Sequence, residues 1–390
     1  MTRAGPAAAG RRRGPPGRLS ARVPWGYGAV VDLGTRLTVL GSLNMDISVT
    51  VPALPGPGAT VLGGTAAFAP GGKGGNQAVA AARLGAASGI AVRMVGCVGD
   101  DEFGRALRAA LVAEGVDDAS VRTVPGVPSG IAMITVDSDG ENMITVAPGA
   151  NREVGAAEVA AVGEGAGVPG KRDAAVGEGA AQTRDGAAAA HVLVISAEVP
   201  VAAIAAALGA CAGREPRTLT VLNLAPAPPE AADLVAARPD WLVVNEPEAA
   251  AILGRPVSGL SAAANAAADL VTAGAANAVV TAGAAGAAYH GGNDRQGRTV
   301  AAFPVNAVDT VGAGDTFVGA LAVALAAGIP PGEAAAAAAA AAATAATRPG
   351  TQAGMPRPAD VHAATGYEWP LVVTALSANP LGYPIGLTKG

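Results

Sequence analysis

Cysteine is nearly absent from this chain: Cys97 and Cys211 are the only two in 390 residues. Each stands in an apolar or alanine-rich stretch with no second cysteine at metal-ligand spacing, which excludes a disulfide framework and a thiolate zinc site. Both read as reduced core residues. Histidine is as scarce, and His191, His290 and His362 are scattered with neighbours that form neither a zinc-binding nor a catalytic-triad pattern. Charge is thin, at 15% of residues, and a net of -5 provides no basic face of the kind nucleic acid requires. No apolar run approaches the ~20 residues needed to span a bilayer without glycine, proline or a charge breaking it. Nor does an uninterrupted apolar segment follow Arg11-Arg12-Arg13, so export is not expected. What remains is a soluble, cytoplasmic globular protein with no nucleic acid and no membrane among its partners.

What the chain has in quantity is small residues, including 55 glycines, arranged in a regular alternation of short apolar stretches and alanine-rich intervals. Leu37 to Gly41, Val192 to Ser196, Leu219 to Asn223, Trp241 to Asn245 and Ala278 to Thr281 read as buried strands separated by helices. That order predicts an α/β fold with a mostly parallel sheet wrapped by helices and ligands at the carboxyl ends of its strands, where Asn223, Asn245 and Thr281 fall. Alternation of apolar and polar residues at Ile47 to Val51, Ile131 to Val136 and Met143 to Val146 predicts a second, smaller sheet covering a site, with lid strands over about 45-66 and 130-147. Asp137-Ser138-Asp139-Gly140 supplies the turn residues of a hairpin.

Three segments lie outside this alternation. Residues 1-36 are rich in Gly, Pro, Ala and Arg and read as a disordered extension. Residues 152-189 contain Ala161-Val162-Gly163-Glu164-Gly165-Ala166 and its copy at Ala175 to Ala180, a local duplication that reads as a surface insertion. Residues 365-390, with Pro370, Pro380 and Pro384, have little helical pattern and read as a loosely attached tail. The catalytic domain is thereby expected over 37-364.

Chemistry concentrates in four short motifs. Gly312-Ala313-Gly314-Asp315 precedes an apolar run from Phe317 to Ala327 that reads as a helix. Small residues let backbone N–H groups at a helix start approach an anion, and Asp315 stands where a carboxylate could take a proton from an acceptor hydroxyl. The same composition also makes an ordinary capped helix start. Pro70 to Ala78 crowds glycines and Lys73 before another helical run, but lacks the spacing of a Walker A loop. Asn44 and Asp46, two apart on an extended strand, can face one pocket and grip vicinal hydroxyls, or can serve as turn-forming residues. Asn245-Glu246-Pro247-Glu248 offers an amide and an acid, and one Glu acting through water suffices for a magnesium ion that keeps most of its hydration. Thr281-Ala282-Gly283-Ala284-Ala285-Gly286 is a further strand-to-glycine turn suited to nucleotide phosphates.

Taken together, Gly41 to Asp46, Gly71 to Ala78, Asn245 to Glu248 and Asp309 to Phe317, in that order along the chain, resemble the motifs of the ribokinase/PfkB sugar-kinase family. The resemblance runs from about Leu37 to Ala364 and includes Ser129-Gly130, Gly149-Ala150-Asn151, Asn223 to Ala227 and Gly350-Thr351-Gln352. It implies a three-layer sandwich with a small β-sheet lid that often forms a homodimer contact. It further implies ATP-dependent phosphorylation of D-ribose at its 5-hydroxyl. Carried over by position, Asn44, Asp46, Gly72, Lys73, Asn76 and Glu198 hold the sugar, Asp315 is the base, and Gly312, Ala313 and Gly314 form the anion hole. Asn245 and Thr281 to Gly286 meet ATP, with Gly314, and Glu248 organises Mg²⁺ through water. An activating K⁺ is implied at Asp309, Val311, Ala345, Arg348, Gly350 and Gly354, mostly through backbone carbonyls. One departure is Ala339, where relatives often have His or Asn near the adenine. Kinases of deoxyribose, fructose or adenosine, and a catalytically silent sugar-binding protein, remain the alternatives on the same fold.

Overall fold

The computed structural model describes residues 36-164, 191-213, 217-291 and 294-370. Its strands are β1 (Arg36–Leu40), β2 (Asn44–Thr50), β3 (Ala67–Gly71), β4 (Ala91–Gly99), β5 (Asp117–Val124), β6 (Gly130–Val136) and β7 (Asn142–Ala147). They continue with β8 (His191–Ser196), β9 (Thr218–Asn223), β10 (Trp241–Asn245), β11 (Asn277–Thr281), β12 (Gly286–Gly291) and β13 (Asp294–Ala301). The helices are α1 (Lys73–Gly85), α2 (Glu102–Ala113), α3 (Ala156–Glu164), α4 (Val201–Cys211), α5 (Ala231–Ala236) and α6 (Glu246–Leu253). After these come α7 (Leu260–Ala273), α8 (Ala313–Ala326), α9 (Pro331–Ala345), α10 (Thr351–Gly354) and α11 (Pro358–Thr365).

Nine strands form the central sheet in the order β13-β12-β11-β10-β9-β8-β1-β4-β5. From β11 through β5 every pairing is parallel, and only β12 and β13 are added antiparallel. Residues alternate between two apolar layers, which is why these strands read as continuous hydrophobic runs. Val192, Val194, Val243 and Val279 enter the layer shared with α1, α8 and α9. Leu193, Ile195, Leu242 and Val244 enter the layer on the opposite face with α4, α5 and α7.

The layer beneath α1, α8 and α9 is filled largely by alanine, so these helices approach closely. Gly319 marks the tightest point: a Cβ there would stand 2.8 Å from the Gln77 carbonyl oxygen and from the Ala80 methyl. This contact brings the first turn of α1 alongside the first turn of α8, and with them the polar residues those turns carry.

The second sheet has the order β3-β2-β6-β7, with the hairpin β6-β7 paired antiparallel about the expected turn. The first lid strand is shorter than the expected 45-66. It ends at Thr50, and Pro52, Pro55 and Pro57, which cannot donate to a ladder, carry the chain to the return strand at Ala67.

Two further expectations are corrected. Part of the duplicated segment is regular structure: Gly149–Glu153 is a 3-10 turn, α3 follows, and the first repeat copy begins inside that helix at Ala161. Val154 and Val162 are buried there, and Glu158, 3% exposed, pairs with Arg122 at 2.6 Å. The second copy lies outside the described residues, as do 1-35 and 371-390. At the other end, the described start of the tail is anchored by its aromatics rather than loose: Trp369 is buried, and Tyr367 meets Phe303 edge-on at 5.6 Å. An aromatic residue can anchor a short segment without helical periodicity. Among the described residues no helix is long and apolar enough to cross a membrane. Cys97 and Cys211 are buried, as expected, and burial pushes the Cys97 thiol up to about 12.

Candidate active site

Parallel strands deliver their C-terminal ends to one edge of the sheet, and the sequence-predicted residues converge there. Asp315 sits in the first turn of α8, 8% exposed, with both carboxylate oxygens occupied. Asn76 Nδ2 donates to Oδ2 at 2.9 Å and Gln77 Nε2 donates to Oδ1 at 3.1 Å. Each donor is itself held from behind. Gln352 Nε2 donates to Asn76 Oδ1 at 3.1 Å, Gln77 Nε2 also donates to Asn223 Oδ1 at 2.9 Å, and Asn223 Nδ2 donates to the Val243 carbonyl at 3.0 Å.

Directly before Asp315, Gly312 adopts φ 78°, a left-handed conformation that a side chain would strain. Among the described residues no partner is found for the amides of Gly312, Gly314 and Asp315, so they are available at the positive end of the α8 dipole. Ala313 N, expected to contribute as well, is turned to the Thr310 carbonyl at 3.2 Å. A side chain at Gly314 would meet nothing within 4 Å. The protein's own packing therefore does not require glycine at that position, and the space above it is open to a ligand.

On the lid, β2 carries Asn44 and Asp46. Asn44 is buried, and its Oδ1 accepts from Asn151 Nδ2 at 2.8 Å. Asn151 is itself fixed by Leu43 N, which donates to its Oδ1 at 2.9 Å. Asn44 thus keeps its own NH₂ for another acceptor. The Asp46 carboxylate rests in the space that a Cβ on Gly71 would fill, and it accepts no hydrogen bond among the described residues. Burial, followed by the charges of Glu198 and Asp315, raises it to about 7.

Lys73 opens α1, within reach of the charges of Asp315, Glu198 and Glu248. Its ammonium is pushed above the ordinary lysine value, chiefly by Asp315, so it stays cationic at neutral pH. Glu198, in the turn after β8, accepts from Ser42 Oγ at 2.5 Å and from Lys73 N at 3.2 Å. Gly72, at φ 82°, is the N-cap of α1 and turns the chain from β3 into it.

The edge expected to meet nucleotide is equally compact. Asn245 and Thr281 are direct partners in the parallel register of β10 and β11. Asn245 caps α6 by accepting from Glu248 N at 2.9 Å, while Glu248 Oε2 accepts from Asn245 N at 2.8 Å, a reciprocal capping box. Burial raises the Glu248 carboxyl, against the pull of Asn245 N and Lys73. Ala282, Gly283, Ala284 and Ala285 form a tight turn into Gly286, closed by Ala282 N donating to the Gly286 carbonyl at 2.8 Å. Ala339 is buried in α9 and presents only a methyl group.

Near the anion hole, Asp309 acts as a clamp. Val311 N and Gly350 N each donate to its carboxylate at 2.9 Å, tying the loop before α8 to the loop after α9. The Ala345 and Arg348 carbonyls both approach the Gly354 position, at 3.4 and 3.1 Å from where its Cβ would be. The Arg348 side chain turns away to Asp360 at 2.8 Å. The donors this loop cluster offers a cation are therefore carbonyl oxygens. Among the described residues no three His, Cys, Asp or Glu side chains cluster to cage a metal. A divalent ion carried in with phosphate and touched by Glu248 through water fits that donor set.

Local sequence patterns assign no role to Gln77, Asn151, Asn223 or Gln352. Asn223 is marked only by its place at a strand end, and the other three lie within or beside the quoted motifs. Amide-to-amide pairing across 107 or more positions leaves no local signal.

Residues 35-358 match the family model described as pfkB family carbohydrate kinase. The chain is 34% identical over 298 residues to a ribokinase of Schizosaccharomyces pombe, covering 75% of this chain and 86% of that one. It is 31% identical over 286 residues to a deoxyribokinase of Salmonella typhimurium, covering 73% and 84%. The solved structure of Arabidopsis thaliana ribokinase complexed with ribose and ATP superimposes with a TM-score of 0.68 at 27% identity, over 85% of this chain and 98% of that one. An acid on a helix start, a second acid on a lid strand and an amide-capped nucleotide edge occur here on a shared backbone plan, and the chain belongs to the pfkB family of carbohydrate kinases.

Proposed function

We propose that this enzyme transfers the γ-phosphoryl group of ATP to the 5-hydroxyl of D-ribose. The observation that carries the ribose reading is Asp46, a partly buried carboxylate set against Gly71 with no protein donor. A carboxylate so placed is satisfied by two neighbouring hydroxyls, and a sugar lacking one of them leaves it short of a partner. Asn44, Lys73, Asn76 and Glu198 complete a polar pocket for a neutral polyol, with Gly72 shaping its edge.

Asp315 accepts the proton of the 5-hydroxyl as that oxygen attacks. The open amides beside it, at Gly312 and Gly314, stabilise charge on the phosphoryl oxygens, and the dipole of α8 adds to this. Asn245 and the turn from Thr281 to Gly286 bind the nucleotide. Magnesium, when bound, neutralises phosphate charge, and Glu248 orients its water shell. The carbonyls of Val311, Ala345, Arg348, Gly350 and Gly354, with Asp309 as the clamp, hold an activating potassium ion. A second copy of the chain seats on the lid, where Phe68, Met133, Met143, Ile144 and Val146 are exposed. A small-sugar kinase of this kind works in the cytoplasm.

A coupled ADP-release assay with Mg-ATP over ribose, deoxyribose, fructose and adenosine, with and without K⁺, tests the reading. Ribose-selective, K⁺-stimulated turnover is expected. Preference for deoxyribose, the substrate named in one relative, would overturn the role given to Asp46.

A further inference from the structure

We propose that Gln77 is a positioning residue for phosphoryl transfer, holding the Asp315 carboxylate in one orientation through a relay of amides anchored on the backbone of β10. The inference rests on Asp315 being the base. Gln77 is fully buried in α1, and its Nε2 donates both to Asp315 Oδ1 at 3.1 Å and to Asn223 Oδ1 at 2.9 Å.

The polarity of this relay is set at its far end. The Val243 carbonyl can only accept, so Asn223 turns its Nδ2 toward it, at 3.0 Å, and its Oδ1 toward Gln77. Gln77 then meets acceptors on both sides of its NH₂, and a flip of its amide would set oxygen against oxygen twice. Val243 lies two residues before Asn245 on the same strand. The orientation of the base is therefore tied to the strand that carries the nucleotide edge.

Gln77 also carries a cost. Its Oε1 is buried with no hydrogen-bond partner among the described residues. A buried orphan carbonyl destabilises, and an apolar side chain of the same length would fill this alanine-rich layer without that penalty. The amide is retained for what it donates to. With Asn76 on Oδ2 and Gln77 on Oδ1, the carboxylate plane is fixed and a lone pair remains for the incoming hydroxyl. Charged groups also face Asp315 from other elements: Lys73 on α1, Asp46 on β2 and Glu248 on α6. The test leaves all three intact.

Gln77→Met and Asn223→Ala are made in the full chain and assayed with Mg-ATP over a range of ribose concentrations up to saturation, alongside Asp315→Asn. In Gln77→Met, kcat is expected to fall about 10-fold while KM for ribose stays within about twofold, because a carboxylate that tumbles loses orientation rather than sugar contacts. Asn223→Ala, which leaves Gln77 present but unanchored, should lower kcat the same way by less, again with KM for ribose held. Should Gln77→Met fail to fold, Asn223→Ala decides. In the variants that fold, a kcat within about twofold of the parent enzyme, or a KM for ribose that rises as much as kcat falls, overturns the relay. Near-normal turnover in Asp315→Asn overturns instead the base assignment beneath it.

Discussion

Asp315, on the helix that floors the site, and Asp46, on the sheet that covers it, are both carboxylates in one pocket, yet their surroundings differ in kind. Two side-chain amides hold Asp315, each fixed from behind by another polar group. Asp46 has no donor among the described residues and is raised to about 7 by burial and by its acidic neighbours. The floor is arranged before substrate arrives, whereas the lid carboxylate is completed only by a ligand. In the proposed reaction, preorganisation falls where charge develops, and the unsatisfied group falls where it would discriminate between sugars.

Removing the base breaks the comparison most sharply. Asp315→Asn should lower kcat by at least ~10²-fold, the low end for loss of a general base, while ribose binding measured by calorimetry stays nearly intact. Asp46→Asn should act on the opposite quantity. Hydrogen bonds to a charged group are worth roughly 1.5–3 kcal/mol, so KM for ribose should rise by about 10- to 100-fold and the preference for ribose over deoxyribose should shrink. A kcat loss without a change in that preference would count against the lid role.

Gly319 tests whether the floor depends on helix spacing. Gly319→Ala places a methyl group 2.8 Å from the Gln77 carbonyl, so α1 and α8 must separate. Overpacking of this kind costs about 1–3 kcal/mol. Thermal unfolding should report that loss, and kcat should fall with it because Asn76 and Gln77 no longer reach Asp315 squarely.

The smallest effect is on pH dependence. The folded Asp46 carboxyl lies above its ordinary value of 3.8, so the folded state binds its proton more tightly than the unfolded chain does. Its contribution to stability is full below about 4 and is lost as pH rises toward about 7. The ligand-free enzyme should therefore lose some melting temperature between pH 5 and pH 8, and Asp46→Asn should flatten that slope. Ribose affinity should run the other way, rising through the same window as the carboxylate ionises and becomes an acceptor for two hydroxyls.

Much of the fold is legible in the amino-acid sequence. The strands at Leu37, Val192, Leu219, Trp241 and Ala278 begin within a residue of their expected starts, because a strand buried on both faces needs an unbroken apolar run. The hairpin at Asp137 to Gly140 is announced by its turn residues. The boundaries of the lid are less legible, since alternation at Ile47 to Val51 shows that a strand exists without showing where prolines end it. Helix α3 and the buried Trp369 are hidden by glycine-, alanine- and proline-rich composition, which resembles unstructured sequence until a partner surface is known.

The sequence by itself determined which groups could do chemistry: Asp315 after small residues at a helix start, Asp46 beside Asn44 on a strand, and Glu248 three residues after the cap that Asn245 provides. Local rules suffice there, because capping, alternation and close backbone approach depend on neighbours in the chain. Only the tertiary structure decided how those groups are held. Gln77 reaches Asn223 and Asp315 because Gly319 lets two helices meet, and Asp46 stays unpartnered because the lid sheet sets it against Gly71. Hydrogen bonds between side chains so far apart in the chain have no periodicity to read. They exist only once packing has chosen which surfaces touch.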